Sequence, residues 1–294
     1  MAQERSTGGA AEADRLAARA IEGLPMTERR LDLAGVSTVV LEGGEGPPIV
    51  LLHGQGGFGA FMGGMAAQLV GRYRIIVPDL PGLGRSEVRS DTLDAPRVIA
   101  WLGELIAKTC DQPPIVFGAS LGGSIAVRFA IEHPNELSKV ILMDSGSLGR
   151  FRPAPAVLLA LVQFIKNPSV AAAERMQNVI FLDGARVRAQ MGERMTALRD
   201  YQIERAKQPS VNHANRVLLR TLGTKRIPDE KLRKIRVPVA MIWGRQDRVM
   251  KFKVAERASQ KFGWPLYPIE DAGHIPMAEQ PAAFAEALRA ILED

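Results

Sequence analysis

The chain has little that could staple it, chelate a metal or anchor it in a bilayer. Its one cysteine in 294 residues, Cys110, excludes an intrachain disulfide and fits a reducing compartment. No strand-turn-helix elbow presents that thiol, so it reads as a buried group near a helix end rather than a nucleophile. The four histidines lie far apart, at 53, 133, 213 and 274, and with a lone cysteine they form no ligand-type spacing. Neither a bound metal nor any other cofactor is expected. No run approaches the ~18 apolar residues that cross a bilayer, so no membrane span is expected. Residues 1–25 mix acids and arginines with alanines and lack an apolar core, which argues against a secretory leader and for a cytoplasmic location. Internal repeats and low-complexity blocks are absent.

What is present is ordinary for a soluble domain. Apolar residues make up 46% and charged residues 24%, a balance that supports one large core with an elaboration. The net charge of +6 is unevenly spread. Residues 150–226 hold 14 Lys and Arg against 5 Asp and Glu, or +9, which leaves 24 against 27, or −3, elsewhere. Such a segment either steers an anionic small molecule toward a cleft or forms a solvated face. Its basic residues are scattered through apolar helices without a recognised binding motif, so nucleic acid is not an expected partner. The expected partner is a small-molecule substrate, and a homo-oligomer is left open.

Residues 1–28 read as an N-terminal extension, frayed or weakly helical up to about 24. Strand patterns follow at 29–34 and 37–42, joined at Ala34-Gly35, then at 49–52, 73–77, 115–117 and 140–143. Helical spacing separates the later ones, at 61–70, 96–109 and 124–133. From 150 to 229 the alternation stops, and helices are expected at 154–165, 169–181, 185–206 and 211–222. It resumes with a strand at 237–243, a helix at 251–261, a strand at 266–269 and a helix at 281–292. Alternation of this kind builds a mostly parallel sheet with helices on both faces, because crossovers between parallel strands are right-handed. The expected division is a core of 29–149 and 230–294 with a helical cap at 150–229.

The chemistry is expected at the carboxyl ends of these strands. Gly118-Ala119-Ser120-Leu121-Gly122 follows an apolar run and precedes a helix, a strand-turn-helix that lifts a serine hydroxyl clear of the sheet. The motif by itself is a weak signal, and the context carries it. Acyl transfer by serine needs a base, an acid to orient the base, and donors for the oxyanion. Asp247 ends one strand and His274 follows the last, in the serine, acid, histidine order of this architecture. Asp144 ends a neighbouring strand and is the rival acid. The oxyanion donors are expected to be the backbone NH groups of Leu121 and of Gln55, in the loop His53-Gly54-Gln55-Gly56-Gly57. His53 reads as structural, and Gly56, Ala119 and Ile275 as lining of the substrate site.

Together His53-Gly54, Asp79-x-Pro81-Gly82-x-Gly84-x-Ser86, Gly118-x-Ser120-x-Gly122, Gly244-Arg245-x-Asp247 and Gly273-His274 resemble the α/β-hydrolase superfamily over about 29–292. The resemblance implies an α/β fold with an eight-stranded, mostly parallel sheet and a Ser120-His274-Asp247 triad. Aspartate in place of Ser120 would have suggested dehalogenases or epoxide hydrolases. Within the superfamily, residues 138–200 look most like the carbon-carbon bond hydrolases of aromatic meta-cleavage pathways, through Gly146-x-Leu148-Gly149, Asn167-Pro168-Ser169 and Phe181-Leu182-Asp183. That family binds a substrate carboxylate through a cap arginine, and the matching position is Arg194. A helical projection sets Arg194 near the apolar stripe of Val187, Met191, Met195 and Leu198, where a guanidinium needs a partner, either a ligand carboxylate or a neighbouring acid such as Asp200 or Glu193. The family's polar residue before the nucleophile and its tryptophan after the histidine are replaced by Ala119 and Ile275. The expectation is therefore a serine esterase for a small, largely apolar ester, one bearing a free carboxylate included. Cleavage of a 2-hydroxy-6-oxo-dienoate is the enzymatic alternative, and a ligand sensor on a hydrolase fold is the alternative of another class.

Overall fold

A computed structural model describes residues 12, 14–89 and 92–294. Among them, eight strands form one sheet in the order β1 (Thr27–Leu33), β2 (Val36–Gly43), β4 (Arg74–Pro78), β3 (Pro48–Leu52), β6 (Ile115–Ala119), β7 (Lys139–Met143), β8 (Val239–Gly244), β9 (Leu266–Ile269). A two-residue strand, β5 (Glu87–Val88), pairs with β2 and was not legible in the sequence. The hairpin β1-β2 and the pair β2-β4 are antiparallel, and every pair from β4 to β9 along the path is parallel.

The continuous apolar runs are explained by burial on both faces. Val50 and Leu52 of β3 enter one core with helices α3 (Ala95–Thr109), α4 (Leu121–Glu132) and α11 (Phe252–Phe262). Ile49 and Leu51 enter the other, with α2 (Gly63–Leu69) and α13 (Pro281–Glu293). Two tryptophans lie at the centre of the first core without losing their polar atoms, since Trp101 Nε1 donates to Thr38 Oγ1 at 2.8 Å and Trp243 Nε1 donates to Met250 O at 2.7 Å.

Between β7 and β8 the chain inserts α5 (Pro155–Lys166), α6 (Val170–Ile180), α7 (Gly184–Met191), α8 (Glu193–Ala206), α9 (Pro209–Leu218) and the short α10 (Asp229–Leu232). The single helix expected over 185–206 is two, because Gly192 adopts φ 53° and ends α7. The apolar stripe expected there is shared between two clusters. Val187 and Met195 pack with Phe181, whereas Leu198 packs with Phe58, Ala60 and Tyr201.

The N-terminal segment takes the helical of the two forms expected for it. Residues 14–21 form a helix, α1, with Ala17 and Ala20 buried in the same cluster as Phe58, Leu198 and Tyr201. Small side chains on that face let the helix sit close, so this part is docked rather than frayed. Of the expected extension 1–28, residues 1–11 and 13 lie outside the described residues, and Thr27 and Glu28 already belong to β1.

Candidate active site

Ser120 terminates β6 and precedes α4 with φ 49° and ψ −108°, a conformation that non-glycine residues avoid. The strain is held by close backbone packing. A β-carbon added at Gly118 would come within 2.5 Å of Gly123 Cα, and one at Gly122 within 2.3 Å of Leu52 O, so only glycine permits this approach. Ser120 N donates to Met143 O at 2.8 Å, which ties the turn to β7.

Three strand ends converge on that hydroxyl. His274, after β9, places Nε2 at 3.2 Å from Ser120 Oγ, and its Nδ1 lies 2.8 Å from Asp247 Oδ2. Asp247, after β8, is buried, and its Oδ1 accepts from Val249 N at 2.7 Å and Met250 N at 3.0 Å. Three donors fix that carboxylate in one orientation. The loop carrying His274 is fixed by α12 (Pro276–Glu279). The buried Glu279 carboxylate accepts from Gly273 N at 2.9 Å, Ile275 N at 3.2 Å and Leu182 N at 2.6 Å, while His274 N donates to Ile180 O at 2.8 Å. Sequence reading missed Glu279. An acid closing a short Pro-initiated helix after the histidine was the available signal.

Ser120 opens into a cavity of about 270 Å³ walled by Met62, Leu161, Phe164, Met176, Met195 and other apolar groups. Gln55, Gly56, Ala119, Leu121, His274 and Ile275 also line it, so those expected positions come together. Leu121 is the first residue of α4, where a helix leaves its NH groups without intrahelical acceptors. The NH of Gly56, by contrast, is already used, donating to Asn215 Oδ1 at 3.0 Å, and Gly56 O accepts from Gln202 Nε2 at 3.0 Å. Those two bonds join the 53–57 loop to α8 and α9.

Arg194 is the correction. It does not line the cavity. Its side chain is half-buried beside Gly63, where an added β-carbon would lie 2.6 Å from Nη2, and burial without a hydrogen-bond partner for Nη2 lowers its pKa. The projection from Val187 fails because Gly192 resets the helix phase. The cations that do line the cavity are Arg205 of α8 and Arg216 of α9. Arg205 is partly buried, its Nε has no hydrogen-bond partner, and it makes no ion pair among the described residues.

Two other motif residues serve the scaffold. Buried His53 accepts from Leu80 N through Nε2 at 3.0 Å and donates from Nδ1 to Gly54 O at 2.8 Å, and desolvation lowers its pKa to about 4. Asp79 accepts from Gly59 N at 2.6 Å and Arg85 N at 2.8 Å, with its pKa raised by burial to about 6. Cys110, at the end of α3, is half-buried, and desolvation raises its pKa, which leaves the thiol unreactive.

The arrangement can make a hydroxyl nucleophilic beside the free NH groups at the start of α4. Comparison with known proteins agrees at the level of family. The model of the alpha/beta hydrolase family matches residues 49–287. The chain belongs to the α/β-hydrolase family. This α/β-hydrolase is 29% identical over 253 residues to a pimeloyl-[acyl-carrier protein] methyl ester esterase of Aeromonas salmonicida, covering 84% of this chain and 95% of the relative. It is 32% identical over 228 residues to a 2-hydroxy-6-oxononadienedioate/2-hydroxy-6-oxononatrienedioate hydrolase of Burkholderia vietnamiensis, covering 71% of this chain and 74% of the relative. Its fold matches naproxen esterase from Bacillus subtilis with a TM-score of 0.80 at 17% identity, over 97% of this chain and 98% of that one.

Proposed function

We propose that this α/β-hydrolase cleaves carboxylic esters through an acyl-enzyme on Ser120. The observation that carries the reading is the strained Ser120 turn holding Oγ 3.2 Å from His274 Nε2 inside an apolar cavity. His274 takes the hydroxyl proton as Oγ attacks the carbonyl carbon, and Asp247 at Nδ1 fixes the tautomer and stabilises the imidazolium. Leu121 N and Gln55 N receive the oxyanion. Collapse expels the alcohol, which leaves with the proton from His274. Water then repeats the sequence against the acyl carbon and frees Ser120.

The substrate is small and largely apolar, with an anionic group reaching Arg205. A guanidinium that lines a cavity without an ion pair gains from a carboxylate there. Carbon-carbon cleavage is the second reading, favoured by the 32% identity to the dienedioate hydrolase. The residues that bear on the choice are Ala119 and Ile275, which replace the polar residue and the tryptophan of that resemblance.

The test is multiple-turnover kinetics on a neutral short-chain p-nitrophenyl ester, a p-nitrophenyl monoester of a dicarboxylic acid, and a meta-cleavage dienol. Ester turnover is expected, and Ser120→Ala should reduce it by about 10⁴-fold or more. Arg205→Met should lower kcat/KM about ten-fold for the anionic ester and leave the neutral ester within about two-fold. Turnover of the dienol alone would replace the esterase reading, and binding without turnover of any of the three would indicate a sensor.

A further inference from the structure

A second carboxyl sits behind the Ser120-His274-Asp247 chain. Asp144 follows β7, has φ 46° and is fully buried. Polar atoms of Asp144, Asp247 and His274 all lie within 4.8 Å of one another. Both imidazole nitrogens of His274 are already engaged, by Asp247 and by Ser120, so Asp144 does not compete for the ring.

Two buried carboxylates this close repel each other when both are charged, and a proton on one of them relieves the repulsion. The donors decide which keeps it. Asp247 receives three hydrogen bonds, from His274 Nδ1, Val249 N and Met250 N. Asp144 receives one, from Gly244 N at 3.1 Å to Oδ1, while its buried Oδ2 finds no donor. Donors stabilise the charged form, so the proton falls to Asp144, which has the fewer. A neutral Asp144 resolves the orphaned oxygen, since the hydroxyl then becomes a donor facing an acceptor. Burial first, then Asp247, and last the charge of Glu279 of α12, the other acid that bears on it, raise the Asp144 pKa well above the ordinary value.

We propose that Asp144 is a positioning residue that stays protonated and donates its carboxyl hydrogen to Asp247, fixing the acid that orients His274. The catalytic part rests on the esterase reading, whereas the protonation does not. The hydrogen bond also draws charge away from Asp247 and moderates its hold on the imidazolium.

Infrared spectra of the resting protein near neutral pH test the protonation directly. The wild type should show the C=O stretch of a buried carboxylic acid, and Asp144→Asn should remove it. The amide keeps both roles, accepting from Gly244 N and donating to Asp247, so this variant should retain kcat/KM within about three-fold with the acid limb of the pH profile unmoved. Asp144→Val keeps the volume and loses the donor. Its kcat/KM on a p-nitrophenyl ester should fall about ten- to hundred-fold, with the acid limb moved to higher pH. Three results would overturn the proposal: no band that Asp144→Asn removes, an asparagine variant as impaired as the valine variant, or a valine variant with wild-type rate and profile. If the valine variant does not fold, the band and the asparagine variant decide. If no ester is turned over at all, the band still decides whether Asp144 holds the proton.

Discussion

The imidazole of His53 and the carboxyl of Asp79 stand beside the active site without entering the chemistry, and both titrate out of place. Burial lowers His53 from 6.5 to about 4, so between those values the unfolded chain binds a proton that the folded one refuses. Stability from His53 is therefore lost as pH falls through that window. Asp79 acts in the opposite sense. Its pKa rises from 3.8 to about 6, the folded chain binds the extra proton, and stability from this group is lost as pH rises. The two contributions oppose each other between about 4 and 6. Asp79→Asn should therefore steepen the acid loss of stability and His53→Gln should flatten it, as read by urea denaturation across that range. Parallel slopes in wild type and both variants would refute the pairing. The roles of these residues were half legible in the sequence. His53 reads as structural from its place beside glycines, but its bond to Leu80 N spans 27 residues and no local pattern announces it.

At the scale of elements, the turn from β6 into α4 depends on glycines that approach other backbone. Gly122→Ala would set a β-carbon 2.3 Å from Leu52 O and 2.8 Å from His53 O, neither of which can swing aside as a side chain could. A loss of about 1–3 kcal/mol is expected, with lower activity because the shift displaces Ser120 and Leu121 N. Gly64→Ala, inside α2 with nothing within 4 Å, is the control and should be neutral or stabilising by up to about 1 kcal/mol. Urea denaturation of both variants measures the difference, and equal effects would contradict it. The elbow was readable because strand, turn and helix are consecutive in the chain. The helix over 185–206 was misread for the converse reason. Gly192 was visible, but a glycine inside a helical pattern is often tolerated, and only the structure shows it at φ 53°.

For the whole molecule the charge distribution matters more than the net charge. The inserted segment 150–226 carries +9 against −3 elsewhere, and its Arg205 and Arg216 line the cavity. A field of that sign attracts anions and is screened by salt. Raising the ionic strength from about 0.02 to about 0.5 M should lower kcat/KM for an anionic ester about three-fold or more while sparing a neutral one. Equal responses would mean that the segment is only a solvated face. The sequence by itself determined the mostly parallel sheet, the place of the insertion and the positions of Ser120, Asp247 and His274. Each of these is a local signal, an apolar run closed by a turn at a strand end, repeated in a fixed order. Only the tertiary structure decided that Arg205 rather than Arg194 faces the cavity, that Glu279 locks the histidine loop, and that Asp144 lies against Asp247. Those relations depend on the phase of a helix after a break and on which strand ends become neighbours. Both are set by packing between segments tens of residues apart, where the sequence has no periodicity to read.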